Sequence, residues 1–189
     1  MKKILIGTHN KGKFKEIAFL ISSKYRKISP ISLKIKSPKE TGKTFISNSK
    51  IKATFFSKFV DYPVISDDSG LCIAALNNRP GIYSARLAKK HGSFFKAMNF
   101  ILKKMKKKKN RKATFVCCLS FIKNNGKIVS VEGRLKGSIS KKIVGKKGFG
   151  YDPIFIPRKK TKTFGEMRPY QKYRMDHRFQ AFKKIKKFL

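Results

Sequence analysis

The sequence predicts an α/β fold in a single domain, a mixed β-sheet with helices packed on it. Three observations predict it. Short apolar runs of strand type alternate with stretches of helical periodicity through the first half of the chain. Two longer apolar runs in the middle flank the hairpin signal Asn124-Asn125-Gly126. The 189 residues, 40% of them apolar, are enough for one well-buried core and too few for two. One domain over residues 1–189, with room for two lobes, is therefore expected, and no repeat, low-complexity linker or boundary interrupts it.

Lys2 to Thr8 reads as a strand, and Asn10 caps a helix in which Phe14, Ile17, Ala18 and Ile21 recur at helical spacing. Residues 27–35 form a weak strand. After the polar link from Ser37 to Gly42, Thr44 or Ser47 caps a helix running to about Val60, with Ile51, Phe55 and Phe59 toward the core. Pro63-Val64-Ile65 reads as a short buried strand that ends at Ser66-Asp67-Asp68-Ser69, where Gly70 turns the backbone. Leu71 to Leu76 makes a second short strand, Arg79-Pro80-Gly81 a tight bend, and Tyr83-Ser84-Ala85-Arg86 a helix start. Phe94, Phe95, Met98, Ile101, Leu102 and Met105 trace the core face of a further helix. Ala113 to Lys123 and Lys127 to Leu135 form the hairpin arms, and residues 136–140 extend the sheet. From Pro169 the chain reads as one helix to Phe188-Leu189, with Lys172 and Asp176 a turn apart as a local ion pair and His177 at the surface.

Composition narrows the setting. Three cysteines, Cys72, Cys117 and Cys118, have neither a disulfide framework nor metal-ligand spacing, which fits a reducing, cytoplasmic compartment. The apolar run Ile4-Leu5-Ile6 is too short for a signal peptide, and Phe115 to Ile122 falls well short of the ~18 residues of a membrane span. A soluble protein is expected. The net charge of +39 invites a nucleic-acid reading. Lysine supplies most of it, however, and is spread through the chain, whereas planar phosphate and base recognition favours arginine. A solvated lysine-rich surface that steers anions is the better reading.

Chemistry concentrates in three stretches. Asp67 and Asp68 stand side by side in a chain with only 9 acidic residues, and such a pair suits a divalent cation or proton transfer from water; solvated acids in an Asx turn are the alternative. The link Thr8-His9-Asn10-Lys11-Gly12-Lys13 joins a strand to a helix N-terminus, where backbone N–H groups and Lys13 suit a triphosphate. It is neither a Walker loop nor GxGxxG, and an ordinary capped turn has the same form. In Gly148-Phe149-Gly150-Tyr151-Asp152-Pro153 two glycines leave the Phe149 ring little covered, which suits stacking on a flat base; a ring tucked into the core is the alternative.

Together the blocks THNKGKFKEI, ETGKTF, SDDSGLCIAAL, NNRPGIYSAR, GFGYDPIF and TFGEM, and the segment Lys172 to Arg178, resemble in order the noncanonical purine nucleoside triphosphate pyrophosphatases, the inosine/xanthosine triphosphate pyrophosphatase (Ham1-like) family. The resemblance implies an elongated two-lobed fold, a homodimer, Mg²⁺ dependence, and hydrolysis of ITP, dITP and XTP to the monophosphate and pyrophosphate, clearing them from the nucleotide pool. By position it implies that Thr8, His9, Asn10, Lys11, Gly12 and Lys13 hold the triphosphate. Asp68 becomes the proton acceptor and magnesium ligand, and Ser69 a substrate contact. Phe149 stacks on the purine, Gly150, Tyr151 and Asp152 line its pocket, and Lys172, His177 and Arg178 read the base edge. The chain departs from the pattern at four places. His9 stands for a usual Gly, Lys39 for an acid that Glu40 replaces with a shift of register, Ser47-Asn48-Ser49 for the usual EENA, and Asp176 for a Ser.

Overall fold

The structure, a computed structural model, describes residues 1–123 and 126–189, so the turn expected at Asn124-Asn125 lies outside the described residues. In chain order its elements are β1 (Lys2–Gly7), α1 (Lys11–Leu20), β2 (Tyr25–Ile28), α2 (Phe45–Ser57), β3 (Val64–Ile73), β4 (Arg79–Pro80), α3 (Ser84–Lys90), α4 (Phe94–Met105), β5 (Lys112–Ile122), β6 (Ile128–Ile139), β7 (Phe155–Pro157), α5 (Pro169–Tyr173) and α6 (His177–Ile185). The strands form a seven-stranded mixed sheet ordered β2-β1-β3-β5-β6-β7, with β4 paired to β3. β1 runs parallel to β2 and β3, whereas β4 is antiparallel to β3 and β7 to β6. Among the described residues no helix is long and apolar enough to cross a membrane.

The chain divides into two compact units, one of Met1–Asp68, Cys117–Gly133 and Arg178–Leu189, the other of Ser69–Val116 and Arg134–His177. In the first, alternation along β1 sends Ile4 and Ile6 to one face and Leu5 to the other. Ile4 and Ile6 pack with Ile17 of α1, Leu119 of β5 and Phe182 of α6; Leu5 packs with Phe56 of α2 and Val64 of β3. Each such buried side chain contributes about 1.5–3 kcal/mol. β2 stops at Ile28, short of the expected strand over 27–35. The Pro30 carbonyl instead accepts from the N–H of Leu33 and Ile35, and Lys34 enters the left-handed region at φ 56°.

α2 begins after Thr44 as expected, through a capping box in which Thr44 Oγ1 accepts from Ser47 N and Ser47 Oγ from Thr44 N, both at 3.0 Å. Its roll differs from the expected one. Ile51 and Phe55 are half-buried and Phe59 is exposed, whereas Asn48, Ser49, Lys52, Ala53 and Phe56 are buried. The face turned inward is largely polar, and it is stable there because its groups are satisfied. Ser49 Oγ and Ser120 Oγ are 2.7 Å apart, Ser120 Oγ and Ser130 Oγ 2.8 Å, and Lys52 Nζ lies 2.6 Å from Glu40 Oε1.

β3 does not end at the acid pair but runs unbroken from Val64 to Ile73. Gly70 is therefore not a turn residue. A Cβ there would lie 2.2 Å from the Gly81 carbonyl oxygen and 2.6 Å from Ser84 Oγ, so glycine permits a close approach. A 3₁₀ turn at Ala74–Leu76 replaces the expected strand end, and Asn77 and Asn78, at φ 52° and 60°, reverse the chain into β4. In the second unit α4 buries Met98, Ile101 and Met105 as its periodicity predicts, and Ala97 with them, while Phe94 and Leu102 are half-buried and Phe95 falls off that face and is exposed. These residues pack with Leu71, Phe115, Ile154, Phe155 and Phe164. The expected C-terminal helix is broken: α5 stops with Arg174 as its C-cap, and helix resumes at His177.

Candidate active site

In the first unit, the parallel register of β1 and β3 sets Gly7 opposite Ser66. The loop that leaves β1 and the acids that follow Ser66 are thereby brought to the same end of the sheet. Gly7 itself allows this approach, because a Cβ would lie 2.1 Å from Ser66 Oγ and 2.6 Å from the Phe56 ring. In the loop, Thr8 Oγ1 accepts from Asn10 N at 3.2 Å and Asn10 Oδ1 caps α1 by accepting from Lys13 N at 3.0 Å. The His9 ring donates through Nε2 to the Ile35 carbonyl at 2.9 Å, since a carbonyl oxygen only accepts. Thr8, His9, Asn10 and Lys11 also line a hollow of about 340 Å³ with Phe14 and Ile31. The first turn of α1 carries no acid, so its amide groups offer positive potential uncancelled by a carboxylate.

The two acids are buried and differently held. Asp67 Oδ2 lies 3.1 Å from Lys13 Nζ and 3.6 Å from Arg178 Nη2, and Arg178 Nη1 is 2.7 Å from Glu16 Oε2. Burial alone would raise the Asp67 carboxyl, but Lys13, Arg178 and Lys52 outweigh it and hold the group well below the usual carboxylate range. Asp68 Oδ2 accepts from Asn48 Nδ2 at 3.1 Å. Burial pushes its carboxyl up; Lys13 and Lys52 oppose this, while Glu40 and Asp67 add to it. Neighbouring acids in opposite environments are the pattern of a division of labour, one fixed as an anion and the other able to exchange a proton. Lys52 is raised in turn: burial lowers it, and Asp67, Asp68 and Glu40 overcome that.

In the second unit the expected base-binding stretch is assembled around Asp152. Its Oδ2 accepts from Phe149 N at 2.8 Å and from Lys172 Nζ at 2.5 Å, and the Lys172 ammonium stands 4.6 Å from the Phe149 ring centroid. Gly148, at φ 74°, must be glycine, because a Cβ would lie 2.1 Å from Asp152 Oδ2. Phe149 and Gly150 are half-buried, so the ring is not tucked wholly into the core. Tyr151 is buried instead: its hydroxyl donates to the Ser84 carbonyl at 2.8 Å, its ring meets Phe94 edge-on, and burial raises its phenol. His177 is not the expected surface histidine. It is buried and stacked on Phe115, with ring centroids 4.7 Å apart and planes 12° apart. Ser69 is half-buried on β3.

The first unit thus brings together Thr8 to Lys13, Asp68 and Arg178, and the second brings together Phe149, Asp152 and Lys172. Sequence reasoning missed roles for Glu16, Asn48 and Lys52, and read Asp67 only as the partner of Asp68 in an acid pair. One signal was available for α2: Asn48, Ser49 and Lys52 fall on one helical face beside Phe56.

A family model described as the Ham1 family matches residues 4–188. The chain is 39% identical over 186 residues to the dITP/XTP pyrophosphatase of Caulobacter vibrioides, covering 97% of this chain and 96% of that protein. It is 37% identical over 190 residues to the dITP/XTP pyrophosphatase of Haemophilus influenzae, covering 98% and 97%. Among solved structures, the Staphylococcus aureus Ham1 protein superposes with a TM-score of 0.86 at 34% identity, covering 99% of this chain and 97% of that one. A Ham1 protein from Coxiella burnetii gives 0.87 at 32% identity, covering 100% and 98%.

Proposed function

The chain belongs to the Ham1 family, and on that footing we propose that it hydrolyses noncanonical purine nucleoside triphosphates, ITP, dITP and XTP, to the nucleoside monophosphate and pyrophosphate. Residues 1–189 act in this reading as one catalytic domain, in a homodimer, in the cytoplasm. The observation that carries it is the division of the acid pair. Asp67 is neutralised by Lys13 and Arg178, and Asp68, beside it, is held by the neutral amide of Asn48.

Asp68 takes a proton from water as the water oxygen bonds to the α-phosphorus. The bond from the α-phosphorus to the bridging oxygen breaks, and pyrophosphate departs with that electron pair. The loop Thr8 to Lys13 holds the phosphates through its amides and the Lys13 ammonium. Lys52, a cation raised by the acids around it, is assigned to the charge that builds on the phosphate oxygens. Ser69 contacts the substrate.

Among the described residues no group of three or more His, Cys, Asp or Glu is arranged to hold a metal, so an all-protein cage is absent. Mg²⁺ is ordinarily held by one or two carboxylates together with substrate phosphates, and that mode fits. Asp68 is a carboxylate disfavoured by burial and by the charges of Glu40 and Asp67, which a divalent cation would relieve. Asp68, with Glu40 as the neighbouring acid, would hold the ion, which when bound neutralises phosphate charge. Glu40 takes the place of the acid lost at Lys39.

Phe149 is assigned to stacking on the purine, backed by the Lys172 ammonium, with Gly150, Tyr151 and Asp152 shaping that pocket and Lys172 and His177 reading the base edge. A donor facing position 6 donates to a keto oxygen and is left unpaired against the amino group of adenine, a mismatch of several kcal/mol. A panel of nucleoside triphosphates, assayed separately for pyrophosphate and orthophosphate, tests the proposal. ITP, dITP or XTP is expected to yield pyrophosphate at least about tenfold faster than ATP or GTP. Orthophosphate as product, or equal rates on all purines, contradicts it.

A further inference from the structure

We infer that Asn48 is a positioning residue: its amide clamps Asp68 Oδ2 and sets the orientation in which that carboxylate meets the water it activates. The inference deepens the proposed reaction and rests on Asp68 being its base.

The amide has only one possible orientation. Asn48 is fully buried, and Gly42 N approaches its side-chain oxygen to 2.8 Å. A backbone N–H only donates, so that atom is the carbonyl oxygen, and the amide nitrogen is the atom 3.1 Å from Asp68 Oδ2. One side chain thus joins the link preceding α2 to the acid on β3.

Both ends of the clamp are built for it. A Cβ on Gly42 would lie 2.3 Å from Ser47 Oγ, 2.6 Å from Asn48 Oδ1 and 2.9 Å from Asn48 N, so only glycine brings this amide into reach. On the helix side, Ser49, the next residue, reaches Ser120 at 2.7 Å, and Ser120 reaches Ser130 at 2.8 Å. This chain of hydroxyls ties α2 to β5 and β6 and fixes the roll that points Asn48 at Asp68. The charged groups acting on Asp68 are Lys13 from α1, Lys52 from α2, Glu40 from the preceding link and Asp67 from β3. A carboxylate among two cations and two anions has competing orientations, and a neutral directional donor selects one of them.

Two substitutions separate the roles. Asn48→Ala removes both bonds, whereas Asn48→Asp keeps the size and the acceptor for Gly42, removes the donor to Asp68 and sets a second acid against that carboxylate. For both variants kcat on XTP is expected to fall about 100-fold, while KM moves less than about threefold, because the loss lies in positioning for the chemical step. Protection of the Gly42 amide from hydrogen exchange is expected to drop in Asn48→Ala and to persist in Asn48→Asp. The Asp68 side-chain carbon resonance, read in protein without nucleotide, is expected to move in both. An unmoved Asp68 resonance overturns the inference, and it can be read even in a chain that does not turn over XTP. A moved resonance with undiminished kcat leaves the clamp standing and overturns the role of Asp68 as base.

Discussion

Asp67 and Asp68 are adjacent in the chain, yet their carboxyls are shifted in opposite directions, and the difference comes from their partners. Asp67 is the anion at the centre of a buried set with Lys13, Arg178 and, through Arg178, Glu16. Replacing one member of a buried ion pair leaves the others uncompensated, at a cost of about 3–5 kcal/mol. Asp67→Asn is accordingly expected to lower unfolding free energy by about 3 kcal/mol in urea titrations at neutral pH. The pH dependence has a definite sign. A carboxyl held below its unfolded value contributes stability above the ordinary carboxylate pKa of about 4, and loses it as pH falls through the depressed folded value. The gap between wild type and Asp67→Asn is therefore expected to close on acidification, and a constant gap from neutral pH into strong acid contradicts the assignment. The sequence marked the pair as chemically loaded. It did not say which acid was fixed, because that depends on Arg178, more than a hundred residues away in the chain, and on Lys52, hidden on the inward face of α2.

Elements with local signals were legible in the sequence. Asn10 before α1, Thr44 before α2 and the apolar stripe of α4 each act where the sequence put them, since a cap or a periodic face is set within a few residues. Elements decided by distant packing were not. α2 was read by its apolar residues, yet its buried face holds Asn48, Ser49 and Lys52 because β3, β5 and the Glu40 link supply their partners. β3 was read as ending at Gly70, because glycine in sequence signals a turn as readily as a close approach. Gly70→Ala tests which it is: a Cβ 2.2 Å from the Gly81 carbonyl oxygen forces backbone apart, and a loss of at least about 2 kcal/mol is expected in thermal or denaturant unfolding. Unchanged stability would return Gly70 to the role of a permissive turn residue. The break after α5 was missed for a similar reason, since no glycine or proline marks Arg174 to Asp176.

At the scale of the whole molecule, the chain carries a net charge of +39 and the proposed substrate is a polyanion. Long-range attraction raises encounter rates and is screened within about 8–10 Å at physiological salt, whereas the buried pairs of the site are screened far less. kcat/KM for XTP is expected to fall severalfold between about 0.05 and 0.5 M salt, with kcat nearly constant; a kcat that falls in parallel would place the salt effect on the chemical step. The mixed α/β class was legible because its strand and helix runs are continuous, and the division of β3, β5 and β6 between two compact units was not, because each reads as one run. The family-wide blocks carried the expectation of a pyrophosphatase, and the acid pair gave it a mechanism. The most direct measurement is pyrophosphate release from XTP by wild type and Asp68→Asn under the same conditions. Loss of kcat by about 10²–10⁴-fold is expected, in a variant that melts no lower than wild type because the displaced acid is costly to ionise. Wild-type turnover in Asp68→Asn would contradict the account.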